Sequence, residues 1–93
     1  MAVLGDFEWD DRKAITNLKK HGVSFEEAIT ALADPHAISA PDLAQPDRWI
    51  AIGRSALLRV LFVVHAETRP AGRVRIISAR RASPAQRRKY EEA

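Results

Sequence analysis

Three runs rich in Val, Ile and aromatic residues dominate the second half of this chain: RWIAIG (48–53), LRVLFVVHA (58–66) and RVRIISAR (73–80). They are separated only by RSAL and ETRPAG. Links this short leave no room for a crossover helix, so the runs predict strands joined by hairpins in a mainly antiparallel sheet. HAISAP is a weaker strand candidate before them, and FEW (7–9) is a short β-prone segment near the start.

Helical signals flank this block. Asp10 or Asp11 is placed to cap a helix running to about Lys20, with acids at its positive end and Lys19 and Lys20 at its negative end. Ala14, Ile15 and Leu18 supply its apolar stripe, and Gly22 stands where a left-handed C-terminal cap is wanted. Ser24 with Glu27 reads as a capping box for a second helix carrying Phe25, Ala28, Ile29 and Leu32, and Pro35 helps to end it. Ser83, Pro84 and Gln86 are the cap, first turn and capping-box partner of a last helix. The expectation is one α+β domain over residues 1–93: two N-terminal helices packed on a mainly antiparallel sheet, with a C-terminal helix. Trp9 and Trp49 read as core anchors.

Composition narrows the function. The chain has no cysteine, which removes disulfide and thiolate–zinc chemistry, and no paired-His spacing suggests another metal site. The longest apolar run is broken by Arg59 and is too short to span a bilayer, and the first residues lack a signal-peptide pattern. The expectation is a cytoplasmic protein with no membrane association. Charge is unevenly spread. Residues 1–68 carry seven Lys/Arg against ten Asp/Glu, whereas residues 69–93 carry eight against two. Such an asymmetry favours a polyanion or an acidic partner; a solvated basic surface is the plainer alternative.

Strand alternation assigns faces. Leu58, Val60, Phe62 and Val64 share one, fully apolar and expected to meet the helices. Arg59, Leu61, Val63 and His65 share the other. On the last strand Val74, Ile76, Ser78 and Arg80 oppose Arg73, Arg75, Ile77, Ala79 and Arg81. Arg80 and Arg81 therefore point to opposite sides, beside the N-terminus of the last helix, itself an anion-binding end. Arg87 and Arg88 sit in the first turns of that helix, where cations oppose the dipole, so helix stability alone does not explain them. Taken singly, an arginine at a strand end is most often solvated or salt-bridged. Likewise His21 suits a helix C-cap and Tyr90 suits packing.

The order of blocks adds to this. FEWDDRKAITNLKKHGVSFEEA, then RWIAIG, RVLFVVHAE and VRIISARRASPAQRRKYEE, resembles the BrnT family of type II toxins from Phe7 to Glu92. One departure is Leu58, where many members of the family carry Gly. The resemblance implies a RelE-like fold and a small ribonuclease that blocks translation. It also implies a BrnA-like antitoxin that neutralises the toxin and through which alone the pair reaches its operator DNA. RNA, free or ribosome-bound, would be the substrate.

The residues can be matched to that chemistry. Metal-free RNA cleavage needs the ribose 2′-hydroxyl activated, the 5′ oxygen protonated and cations around a phosphoryl group gaining negative charge. Arginine suits the last task through its permanent charge and planar fork. Arg59, Arg80 and Arg81 are the candidates for it; His21 and Tyr90, with His65 or Glu26 behind them, are the candidates for proton transfer. Lys20, Arg75, Arg87 and Arg88 are candidate phosphate contacts. No cofactor or metal is expected. A non-catalytic basic binding module, or a toxin that only docks its antitoxin, is the competing reading.

Overall fold

Val60–Glu67 (β5) and Val74–Arg81 (β6) are the longest strands and pair antiparallel at the centre of the sheet in this computed structural model, which describes residues 1–68 and 72–93. Trp49–Arg54 (β4) pairs with β5 and Ile38–Pro41 (β3) with β4, both antiparallel. The RSAL hairpin forms as its length requires, whereas part of the ETRPAG turn (69–71) lies outside the described residues. Leu58 is not in the strand: it sits in the turn at φ 63, a left-handed conformation that costs a residue with a Cβ.

The sheet has six strands in the order β1-β2-β6-β5-β4-β3, and it is mixed. Phe7–Trp9 (β2) lies parallel to β6, with Phe7 opposite Val74 and Glu8 opposite Arg75. Their separation in the chain, with both first helices and three strands between, permits a parallel contact that short links forbid. Ala2–Leu4 (β1), not foreseen as a strand, folds back on β2 through Gly5–Asp6, with Gly5 at φ 58.

Helix ends follow the local chemistry closely. Asp10 caps Asp11–His21 (α1) by accepting from the Arg12 and Lys13 amides at 2.8 and 3.1 Å. Gly22 closes it at φ 69, its N–H bonded to the Leu18 carbonyl at 2.9 Å. Ser24 caps Phe25–Leu32 (α2) by accepting from the Glu27 amide at 3.0 Å. The expected capping box stops there, because the Glu27 side chain turns to Arg59 and Ser55. At Pro84–Glu92 (α3) the box is complete: the Gln86 amide donates to Ser83 at 3.2 Å, and Gln86 Oε1 accepts from the Ser83 amide at 2.9 Å.

The two N-terminal helices cover the face of the sheet opposite to the expected one. Val23, Phe25, Ala28 and Ala31 pack with Trp9 on Leu61, Val63, Ile76 and Ala79, leaving the Phe62 and Val64 side to the other face. Both faces are apolar, so alternation cannot choose between them. Gly53 does, because it lies opposite Leu61 and a Cβ there would stand 2.3 Å from the Ala31 carbonyl oxygen. Only on that side can α2 settle directly on β4. Trp9 is a core residue as expected, meeting Phe25 edge-on at 6.2 Å, but Trp49 is not, remaining 43% exposed.

The buried side of α1 also differs from the expected stripe. Ile15 and Leu18 face solvent, and Asn17 is buried instead. Asn17 donates to the Ala79 and Val23 carbonyls at 2.8 and 2.9 Å and accepts from the Ala79 amide at 3.1 Å. Because β2 accompanies β6 only as far as Arg75, this carboxamide pairs the backbone of β6 where no strand does. Removing it strands three buried backbone groups. Asn17→Ala is therefore expected to lose about 2–4 kcal/mol of stability in urea unfolding, well above the cost of an exposed substitution.

Candidate nucleic-acid interface

Helical spacing decides what stands beside Asn17. Lys13 precedes it by four residues, and Lys20 and His21 follow by three and four, so all share the face that Asn17 pins to β6. Between α1 and β6 lies a cavity of about 310 Å³ lined by Arg12, Lys13, Lys20, His21, Ile77 and Ser78, together with Thr16 and Asn17. No carboxylate lines it.

Arg59, immediately before β5, reaches the C-terminal end of α1. Its Nη2 donates to the Gly22 carbonyl at 3.0 Å and its Nε to Glu27 Oε2 at 2.9 Å, with a second, very short contact from Nη2 to Glu27 Oε1. Ser55 Oγ donates to Glu27 Oε2 at 2.7 Å. The Arg59 hydrogen bonds hold the Glu27 carboxyl below its usual range against the opposing effect of burial, with Ser55 and the charges of Arg59 and Arg81 acting in the same direction. The same pairing raises Arg59. Arg81, opposite Leu61 on the helix-covered face, is exposed beside this pair.

Lys20, His21, Arg59 and Arg81 thus converge around the end of α1. The other candidates lie elsewhere. Arg80, on the opposite face as alternation requires, stacks on Phe62 at 4.2 Å and donates to Gln86 and to the Arg81 carbonyl, both at 3.1 Å. Tyr90 donates its hydroxyl to Asp34 and lies 6.0 Å from the Arg54 guanidinium, holding α3 to the end of α2. That bond raises Tyr90 and lowers Asp34 from their usual values. Arg75 is committed to the buried Glu8 at 2.6 and 2.9 Å, with Arg73 at 3.9 Å from the same carboxylate. Arg87 pairs with Glu91 at 3.6 Å, and Arg88 is exposed on α3. His65 is half-buried, and burial lowers it; Glu26 is exposed. Among the described residues no group of three or more His, Asp or Glu is placed to hold a metal ion.

Three participants were not visible as such in the sequence. Arg12 and Lys13 carry no distinguishing local pattern, yet they line the cavity. Glu27 reads locally as a capping-box acid, and its partner Arg59 stands 32 residues further along the chain.

The model of the ribonuclease toxin, BrnT, of type II toxin–antitoxin systems matches residues 9–86. The chain belongs to the BrnT family. In the same direction, the crystal structure of the Brucella abortus ribonuclease toxin BrnT superposes with a TM-score of 0.68 at 30% sequence identity, covering 83% of this chain and 95% of that one. No curated protein matches the chain. Membership of a type II family implies a protein antitoxin as partner. No helix among the described residues is long and apolar enough to cross a membrane.

The Glu27–Arg59 pair has a pH signature. The folded carboxyl lies below its unfolded value of 4.5, so the unfolded chain binds the extra proton. This stabilisation is fully present above about pH 4.5 and is lost as pH falls through the folded value. Urea midpoints between pH 7 and 3 should fall for the wild type, whereas Glu27→Gln should start lower at pH 7 and lose less on acidification.

Proposed function

We propose that this BrnT-family toxin is a metal-independent endoribonuclease of RelE-like architecture that inhibits translation by cleaving RNA at the end of α1. The observation that carries this is the cation-lined, acid-free cavity between α1 and β6, with Arg59 anchored at the C-terminal end of the same helix. Arg12, Lys13 and Lys20 would hold phosphates along the cavity, as side-chain cations do for single-stranded RNA.

Within that lining, His21 is the proton-transfer group, since histidine is the side chain suited to exchanging protons near neutral pH. Removal of the ribose 2′ proton lets O2′ attack the adjacent phosphorus. The P–O5′ bond breaks, and the departing oxygen takes up a proton, leaving a 2′,3′-cyclic phosphate and a 5′-hydroxyl. Arg81 and Arg59 face the charge that builds on the phosphoryl oxygens. Glu27 and Ser55 keep Arg59 aimed without drawing on substrate binding energy. Tyr90, tied to Asp34, and Arg80, stacked on Phe62, act here through α3 and the strand end. A BrnA-like antitoxin would neutralise the enzyme and carry the pair to its operator, and the toxin would act in the cytoplasm.

Purified protein incubated with total RNA in EDTA tests the reading. Wild type should cleave, giving cyclic-phosphate ends. Arg81→Ala should be slower by roughly 10²–10³-fold, in the range found for removing one transition-state donor. Lys20→Ala should chiefly weaken binding and lower the slope of log affinity against log salt by about 0.7, the loss of one phosphate contact. Cleavage that requires Mg²⁺, or that survives Arg81→Ala with His21→Ala, would remove this site. Cleavage that appears only in a translating extract would keep the site and add ribosome dependence.

A further inference from the structure

The helical hairpin leaves the second face of the sheet largely uncovered. On that face Ile50 stands opposite Ala40 and Val64, and Ile52 opposite Ile38 and Phe62. The capping-box turn of α3 borders it on one side, and β3, the last strand of the sheet, on the other. Between them lies a groove of about 260 Å³ lined by Ile38, Ala40, Ile50, Ile52 and Phe62, with Gln86 and Lys89 along its α3 wall.

Two properties define what fits there. The floor is aliphatic and aromatic, which rewards apolar side chains rather than a sugar–phosphate backbone. The wall is cationic: Lys89 lines it, Arg80 lies over Phe62 and bonds to Gln86, and Arg54 borders Tyr90 further along α3. No carboxylate lines the groove, and among the described residues neither Arg80 nor Lys89 has an ion-pair partner. Arg87 on the same helix differs, being paired with Glu91, as do Arg73 and Arg75 at the far end of β6, which share Glu8.

We infer that the groove between α3 and β3 is the docking surface for an amphipathic segment of the antitoxin, with its apolar side on Ile50, Ile52 and Phe62 and its acidic side toward Lys89 and Arg80. This rests on the reading of the chain as a toxin held in check by a protein antitoxin. Charge complementarity would set register and speed of association, and the apolar floor would supply affinity. The position also explains how inhibition reaches the cavity on the other side. Arg80 and Arg81 are chain neighbours, and the Arg80 guanidinium bonds to the Arg81 carbonyl. A segment gripping Arg80 at the strand end therefore lies one residue from the arginine assigned to the transition state.

The test uses the antitoxin encoded in the same operon, with two substitutions at exposed positions outside the proposed catalytic groups. Ala40→Arg places a long cation across the groove from the β3 side, and Lys89→Glu reverses its wall. Each should weaken antitoxin binding by tenfold or more in calorimetry, and the pair by more than a hundredfold. RNA cleavage by the free proteins should remain at the wild-type rate, and circular dichroism should show unchanged folding. Hydrogen exchange in the wild-type complex should slow in residues 38–40 and 50–52. Antitoxin affinity within twofold of wild type for both variants would overturn the inference while leaving the ribonuclease reading intact. Loss of RNA binding with antitoxin binding retained would likewise overturn it, marking the groove as an RNA surface. Loss of antitoxin binding by the variants of a protein that cleaves no RNA would sustain the docking surface and remove the catalytic reading.

Discussion

The carboxamide of Asn17 is the contact on which the functional side of this protein depends. β6 is the central strand of the sheet's basic half, yet β2 leaves it after Arg75, and its backbone at Ala79 would otherwise be an unpaired edge. Asn17 answers both the donor and the acceptor of Ala79 and also binds the Val23 carbonyl in the turn between the helices. A buried amide with all these bonds made is rigid, because any rotation breaks two of them at once. The rotation of α1 about its axis is thereby set. Lys13, Lys20 and His21 face β6, and Ile15 and Leu18 are turned to solvent.

The excess of positive charge in residues 73–90 has a structural and a functional part. Arg73 and Arg75 clamp the buried Glu8 and so tie β2 to the start of β6. Arg87 is balanced within α3 by Glu91. Arg80 and Arg81 have no such carboxylate among the described residues, and they stand at the end of the strand where the helix hairpin, the β4–β5 turn and α3 meet. Arg59 shows a third arrangement. Its charge is neutralised by Glu27, but its position against the Gly22 carbonyl is held to within one hydrogen-bond geometry. An acid that lowers the net charge of the site still serves it, if the orientation of a bidentate group matters more than its field.

Alternation along β6 gives the two arginines separate territories. Arg81 belongs to the face that carries α1 and α2, and Arg80 to the face bordered by α3. One strand end thus joins the cavity suited to phosphates and the groove suited to an apolar, acidic segment. The helix-covered face is closed by Phe25, Leu61 and Val63, all fully buried, while Phe62 and Ile50 on the other side remain partly open.

The parts of this fold that the chain's own order made legible are those whose partners are near in sequence. Asp10, Gly22, Ser24 and the Ser83–Gln86 box satisfy backbone groups within four residues, and the RSAL link is too short for anything but a hairpin. Lys20 and Arg81 were also legible as cations near helix and strand ends, His21 as a proton-transfer candidate, and the block order as that of the BrnT family. Partners far apart in the chain were not legible. The β2–β6 pair, the Asn17–Ala79 bonds across 62 residues and the Glu27–Arg59 bonds across 32 leave no local pattern. Nor could alternation choose between two apolar faces of β5. That choice rests on Gly53, where a missing Cβ lets the Ala31 carbonyl approach, and such steric fit exists only once helix and sheet are packed together.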